Sequence, residues 1–332
     1  MDAMDHGSKQ KVAELKMILR KMSLQACCAL VLPEFQLSWR AVSQCIRNAR
    51  LPMVPDSVAR ILSRHASKNM TLEELSDLVA NLRLKLTATQ SRTWHVIKLS
   101  SPIDEPLDIM SNDLTSRLTM NMKNVKVFKT MWPEIQSAKL NGFVYISIQM
   151  VSASKEGPIL YLAIPSGLDV ALVNTTRSGL LKICVRGLGY ETFEDLALSG
   201  SDIDSLLHIY NNGNTRRAEH LSTLPEYKVL PVITRSGIDY TGRNYNELYA
   251  KEMLGPNPPI LTKMKIESEK EFFAPKILNK KMKVKVTLHS DSVADTLCSW
   301  AKLSVLPPTS DLFHIFHKIK SNNFHYNPDD EL

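Results

Sequence analysis

The spacing of apolar residues first changes along this chain near residue 94. Before that point apolar residues recur at helical intervals, as in the run Val12, Leu15, Ile18, Leu19 and Met22. Beyond it, short apolar runs alternate with polar residues or are bounded by turn residues, which is typical of β-strands. We therefore expect an α+β protein in which a helical bundle precedes the strands.

The bundle is predicted over residues 1–90. Helices are expected at about 9–22, 23–31, 36–48, 56–67 and 71–86. Thr71, followed three residues later by Glu74, matches a capping box and indicates where the last of these helices begins. No strand pattern interrupts the helices, so we expect them to pack together as one compact unit.

A mixed α/β domain with antiparallel strands is predicted over residues 91–212. Strands are expected at 94–99, 125–128, 143–148, 159–164 and 168–173. Helices are expected at about 107–122, 178–187, 192–198 and 202–210. Asn141 and Gly142 stand directly before the strand at 143–148 and favour a tight turn there.

The rest of the chain is predicted to be a linker followed by a small third domain. Residues 213–275 are rich in Asn, Gly and Pro, with one helix expected at 243–254. Residues 276–332 begin with a strictly alternating strand at 283–288, followed by helices at 291–302 and 310–320 and an extended piece at 323–326. Such a small core with an open sheet edge is expected to pair with another chain.

Positive charge is concentrated at the start of the chain. The first hundred residues contain 15 Lys and Arg against 8 Asp and Glu, whereas the remaining 232 contain 26 of each. A basic helical segment on an otherwise neutral protein indicates a polyanionic partner. For any single cation, a solvated helix face remains at least as good an interpretation.

Several classes of protein are disfavoured by what the sequence lacks. The five cysteines form no CxxC pair, which argues against a zinc site or a disulfide framework. No run approaches the roughly 18 apolar residues of a membrane span, and the start does not resemble a secretory signal, so we expect a nuclear or cytosolic protein. Asp202 and Asp204 are interpreted as helix-capping residues rather than a catalytic pair. We expect no cofactor, no metal and no enzymatic activity.

Several segments match one known family in the same order along the chain. They are Val12-Ala13-Glu14-Leu15, Arg92-Thr93-Trp94, residues 123–127, 143–148, 196–207 and 284–306, Leu312, and the aromatic pair Phe324 and Tyr326. This ordered set resembles the centromere protein N family of the inner kinetochore. No single motif among them is specific, so the resemblance rests on the whole arrangement.

The resemblance implies a pyrin-like N-terminal domain and a central domain that together form a groove for DNA. It implies a C-terminal domain that forms a heterodimer with centromere protein L, and contacts with other inner-kinetochore subunits. It further implies binding to nucleosomes that contain the centromeric histone H3 variant, and a location in the nucleus at the centromere. No membrane and no small-molecule substrate is expected.

Candidate binding residues follow from the resemblance and from the basic first helix. The candidates for DNA binding are Lys9, Lys11, Lys16, Arg20, Arg47, Arg50, Arg92, Lys155 and Arg177. Glu14 occupies one of two acidic positions with which the family engages a histone arginine, whereas the other position carries Gln10. A further basic pair of the family is replaced by Ser199-Gly200-Ser201, so the groove is expected to be less basic there.

Three alternatives remain open at this stage. Glu14 could pair within its helix with Lys11 or with a residue near Lys16, or it could simply be exposed. The helical domain could be a death-fold adaptor that binds proteins instead of DNA. The chain could also be a nucleic-acid-processing enzyme, although no clustered carboxylates or histidines at metal spacing support that class.

Overall fold

The computed structural model describes residues 2–90, 92–103, 113–123, 131–152, 157–214, 226–228, 231–235, 237–255, 257–274, 277–317 and 319–326. The protein is α+β, with helices and antiparallel strand pairs. It divides into two compact units: Met1–Ser91, Leu99–Ala171 and Arg177–Phe193 form the first, and Arg92–Lys98, Leu172–Thr176 and Glu194–Leu332 the second. The predicted strand at 125–128 lies outside the described residues.

The first unit begins with the predicted helices. They are α1 (Asp2–Lys21), α2 (Leu24–Ala26) with a π-helical turn at Cys27–Val31, α3 (Trp39–Asn48), α4 (Pro55–Asn69) and α5 (Leu72–Thr89). Their apolar faces close on one core that includes Leu19, Ile46, Leu62 and Leu82, each fully buried. The helical part of the sequence prediction is therefore confirmed, although α1 begins seven residues earlier than expected and most of the helix expected at 23–31 is a π-helical turn.

The capping box at the start of α5 is also confirmed. The Thr71 backbone N–H donates to Glu74 Oε2 at 2.8 Å, and the Glu74 N–H donates to Thr71 Oγ1 at 3.3 Å. The Thr71 N–H, together with Thr71 Oγ1, which donates to Glu74 Oε2 at 3.0 Å, holds the pKa of the Glu74 carboxyl below its usual value. The cap satisfies backbone donors that a helix start would otherwise leave without partners.

A six-stranded sheet follows in the chain. Its strands are β1 (Trp94–Pro102), β2 (Trp132–Leu140), β3 (Phe143–Val151), β4 (Leu160–Pro165), β5 (Val170–Val173) and β6 (Tyr190–Gly200), in the order β2-β3-β4-β5-β1-β6. β2 and β3 pair antiparallel through the two-residue turn at Asn141 and Gly142, whose φ angles of 52° and 80° suit that turn. The helices α6 (Asp113–Lys123), α7 (Gly179–Gly187) and α8 (Ile203–Asn214) complete this part of the chain.

The prediction of a helix at 192–198 is wrong, because this segment belongs to β6. Glu, Leu and Ala in the segment favour a helix locally, but pairing along the edge of the sheet overrides that preference. Ala197 has a φ of 51°, which a helix would not contain. Its N–H is held by Asp195 Oδ1 at 2.9 Å.

The second unit contains most of the remaining elements. They are β7 (Val232–Thr234), β8 (Gly237–Asp239), α9 (Arg243–Leu254), β9 (Lys263–Ala274), β10 (Ile277–His289), α10 (Val293–Lys302), α11 (Asp311–His317) and β11 (Asn323–Tyr326). β10, β9 and β11 form a three-stranded sheet in that order, with β10 antiparallel and β11 parallel to β9. The buried Asn322 joins this sheet to β6, since its Oδ1 accepts from the Ser199 N–H and its Nδ2 donates to the Lys263 carbonyl.

The stretch predicted as a linker, 213–275, carries more structure than expected. The helix expected at 243–254 is confirmed as α9, but the β7–β8 hairpin and β9 were not predicted. Lysine and glutamate dominate β9 and mask its strand character, although Met264 and Ile266 are buried two residues apart as a strand requires. Gly213 and Asn214, at the start of this stretch, lie in the last turn of α8 and not in a loop.

We predict that Thr71→Ala lowers the free energy of unfolding by about 1 kcal/mol, the usual cost of a lost N-cap. Because the pKa of Glu74 is lowered in the folded state, its contribution is present above the ordinary glutamate range and is lost as the pH falls through the folded value. Denaturant unfolding at neutral and acidic pH would measure both effects. Equal unfolding midpoints for Thr71→Ala and the parent at neutral pH would contradict the capping role.

Candidate nucleic-acid interface

The cations of α1 lie on a defined side of the helix. Lys9, Lys16 and Arg20 recur at intervals of seven and four residues, so they share one flank of α1. Leu15 and Leu19 are fully buried on the face that packs into the bundle. The basic flank therefore lies beside the buried face and away from the core.

Arg20 shares a carboxylate with an arginine of α4. Arg20 Nε lies 2.5 Å from Asp56 Oδ1, and Arg60 Nε lies 2.7 Å from Asp56 Oδ2. The hydrogen bond from Arg20 is the largest cause that holds the pKa of Asp56 below its ordinary value. Two guanidinium groups around one carboxylate leave a net positive charge at this end of the α1–α4 pair.

Glu14, the predicted histone contact, is engaged within the protein. Arg83 Nη2 of α5 donates to Glu14 Oε1, and Lys11 Nζ lies 3.6 Å from Glu14 Oε2. Arg83 Nη1 also donates to Gln149 Oε1 of β3 at 3.4 Å. The alternative of Lys11 as an intrahelical partner of Glu14 is confirmed. The shorter contact of Glu14 is the one with Arg83 of α5.

Several cations of the bundle have no ion-pair partner among the residues that the structure describes. They are Lys16, Lys21, Arg40, Arg47, Arg50 and Arg64. All except the half-buried Lys16 are exposed. Their charges are open to an anionic ligand, because nothing in the described part of the bundle neutralises them by direct contact.

The predicted pair Arg47 and Arg50 lies at the end of α3. Arg40 and Arg47 are seven residues apart and share one face of that helix, while Arg50 follows it with a φ of 53°. The loop after Arg50 leads directly into α4, where Asp56 stands in the first turn. α3 therefore carries two exposed cations on one face, and a third, Arg50, follows directly after the helix.

The other predicted DNA-binding residues, Arg92, Lys155 and Arg177, follow the bundle in the sequence. Arg177 is exposed just before α7, in the first unit, and Arg92 is half-buried in the second unit. Lys155 lies outside the described residues. The prediction that these three complete a groove with the bundle stays a prediction.

Three carboxylates of the bundle line one cleft. Glu34, Glu74 and Asp77 line a cleft with Asn81 of α5 and Gln136 of β2. Glu34 is partly engaged, since Lys85 Nζ lies 2.5 Å from its Oε1. Acidic groups on the α5 side and unpaired cations on α1, α3 and α4 give the bundle an uneven distribution of charge.

Sequence reasoning did not select Arg60, Arg64 and Asp56 as site residues. The spacing of Asp56, Arg60 and Arg64 at four-residue intervals was a visible signal that they share one side of α4. The contact of Asp56 with Arg20, which lies 36 residues away, had no signal in the sequence. Only the antiparallel packing of α1 and α4 reveals it.

Other kinds of site find little support in the described residues. There, no group of three or more His, Cys, Asp or Glu side chains is arranged to hold a metal ion. In the same part of the chain, none of the helices combines the length and apolarity that crossing a bilayer demands. Asp202 Oδ2 accepts from the Ser205 N–H at 2.9 Å, which confirms its predicted capping role at α8.

Comparison with models of known protein families gives no match to this chain, and comparison with curated protein sequences gives none either.

We predict that Glu14→Gln lowers the free energy of unfolding by about 1 kcal/mol, because it leaves Arg83 without its carboxylate in a site where both side chains are only 25% exposed. Exchanging the two charges, Glu14→Arg with Arg83→Glu, should recover most of the loss. Denaturant unfolding in a double-mutant cycle measures this coupling.

Glu73→Gln is the matched control, since Glu73 is an exposed acid of the same bundle. It should leave stability within about 0.5 kcal/mol of the parent. A charge exchange that is as unstable as the sum of its single substitutions would contradict a direct Glu14–Arg83 interaction.

Proposed function

We propose that this protein is a non-enzymatic DNA-binding subunit of the inner kinetochore, with the N-terminal bundle as its DNA face. The single observation that carries the proposal is the set of bundle cations without a carboxylate partner, described above. The resemblance of the sequence to the centromere protein N family supports the kinetochore context. The fold class, α+β with an N-terminal helical bundle, is consistent with that family. We also propose that the bundle is a pyrin-like domain.

Lysine and arginine on short helices suit the phosphate backbone of duplex DNA. Each contact with a phosphate releases condensed counterion, so the affinity falls steeply as the salt concentration rises. Contacts of this kind position a protein on the duplex without selecting a base sequence. We therefore infer binding that depends on charge and not on DNA sequence.

Binding to the centromeric nucleosome would add a histone contact at Glu14. An arginine from the histone would have to replace Arg83, the present partner of Glu14. A bidentate arginine–carboxylate pair could make this exchange favourable. We infer that DNA contacts supply most of the affinity and that Glu14 contributes only where a histone arginine reaches it.

The C-terminal part is proposed to bind centromere protein L. β10 is an outer strand of the three-stranded sheet, and Val284 and Val286 on it are 43% and 41% exposed. A strand at a sheet edge presents unpaired backbone donors and acceptors to another chain. Strand addition at β10 would satisfy these groups and cover the two valines.

We predict that Lys16→Glu with Arg47→Glu weakens binding to a 20-base-pair duplex by more than tenfold, because two attractive charges become repulsive. The salt dependence of log K should also become shallower, by about 2 in slope. Fluorescence anisotropy at several salt concentrations measures both. The matched control, Arg243→Glu with Lys320→Glu, changes the net charge equally at exposed positions of the second unit.

Equal affinities for the Lys16→Glu/Arg47→Glu protein and the parent would contradict the proposal and favour a protein-binding adaptor. Cleavage of the duplex during incubation with Mg²⁺ would instead indicate an enzyme acting on nucleic acid.

We predict that Val284→Lys with Val286→Lys abolishes co-purification of co-expressed centromere protein L and leaves DNA affinity unchanged. The two charges would be buried without partners in the proposed interface. Leu303→Lys with Val305→Lys is the matched control, because these residues are 61% and 69% exposed in the same unit. Co-purification that survives the β10 substitutions would exclude this strand as the binding surface.

A further inference from the structure

We propose that α4 supplies a second row of phosphate contacts, made by Arg60 and Arg64, and that α1 and α4 together grip both strands of a DNA duplex. This inference rests on the proposed function and extends it from a basic surface to a defined mode of binding. It assigns a binding role to two residues that the sequence analysis did not select.

The end of α1 meets the start of α4, and the two helices also contact each other extensively, so they run in opposite directions. Arg20 lies in the last turn of α1 and Asp56 in the first turn of α4, and their side chains are 2.5 Å apart. From that contact, Lys16 lies about 6 Å back along α1 and Arg60 about 6 Å forward along α4, at 1.5 Å per residue. The Lys16–Arg20 row and the Arg60–Arg64 row therefore run side by side.

The α4 row points away from the bundle core. Val58, Leu62 and Ala66 are fully buried, and they occupy the side of α4 opposite Arg60 and Arg64. Arg60 is 47% exposed in its side chain, and Arg64 is exposed and has no ion-pair partner among the described residues. Both guanidinium groups can thus reach a ligand without any rearrangement of the helix.

Pairing with Asp56 leaves Arg20 and Arg60 with enough N–H donors to bind phosphate. Its two contacts are made by the Nε atoms of Arg20 and Arg60, so the Nη groups of both arginines stay available. An arginine has five N–H donors, of which Nε carries one. The two rows contain four cations around a single carboxylate, which leaves an excess of positive charge for the two DNA backbones.

The spacing of the rows matches a duplex better than a single strand. Packed helices lie with their axes about 8–10 Å apart. The two backbones that border the minor groove of B-DNA are separated by a gap of about 6 Å. Side chains that lean toward each other from the two helices can bridge the difference, so that each row meets one backbone. A single strand offers phosphates to only one row.

The test compares Arg60→Glu with Arg64→Glu against the Arg243→Glu/Lys320→Glu control, on a 20-base-pair duplex and on a single strand of equal length. We expect at least a tenfold loss of affinity for the duplex and at most about a threefold loss for the single strand. The salt slope on the duplex should become shallower by about 2. Circular dichroism would confirm that the variant remains folded.

A second variant covers the case in which a glutamate beside Asp56 unfolds the bundle. Arg60→Gln with Arg64→Gln removes both charges without adding repulsion, and it should weaken duplex binding about threefold to tenfold. The Gln variant thus keeps the proposal testable.

Each outcome separates the inference from the function on which it rests. If the α4 variants bind the duplex as well as the control while Lys16→Glu/Arg47→Glu binds poorly, the second row is wrong and DNA binding stands. Equal losses on duplex and single strand would overturn the two-strand grip. If the parent protein binds no DNA, the proposed function itself fails.

Discussion

The first unit depends on α5, a helix that is buried on two opposite sides. Leu75, Leu78 and Leu82 close the bundle core from one side. Leu84, half a turn away, is fully buried but lies outside that core, and α5 packs against β2 and β3. A helix used on both sides joins the bundle to the sheet, so the bundle cannot be a freely attached module.

This arrangement also decides which cations are structural. Arg83 and Lys85 flank Leu84, and they pair with Glu14 of α1 and with Glu34. Arg83 reaches Gln149 of β3 as well, so one guanidinium group bridges three elements. Cations that are paired with carboxylates in these contacts are not available to an anionic ligand. The surplus that remains belongs to α1, α3 and α4, on the parts of the bundle that α5 does not cover.

Local patterns predicted the elements whose signals lie within a few residues. The capping box at Thr71, the turn at Asn141-Gly142 and the helix at 243–254 were all predicted and confirmed. The strands β6 and β9 were not predicted, because partners that are distant in the sequence, β1 for β6 and β11 for β9, contribute to their stability. A charged strand such as β9 is recognisable only once β10 and β11 lie beside it.

The sequence by itself determined the α+β class, the helical character of the first ninety residues and the excess of cations there, because periodicity and composition are local properties. The tertiary structure decided which cations are neutralised. Packing pairs Glu14, the candidate histone contact, with Arg83, and it places the Asp56–Arg60 pair of α4 beside Arg20 of α1. Ion pairs between residues 36 or 69 positions apart depend on how helices pack, which no local pattern encodes.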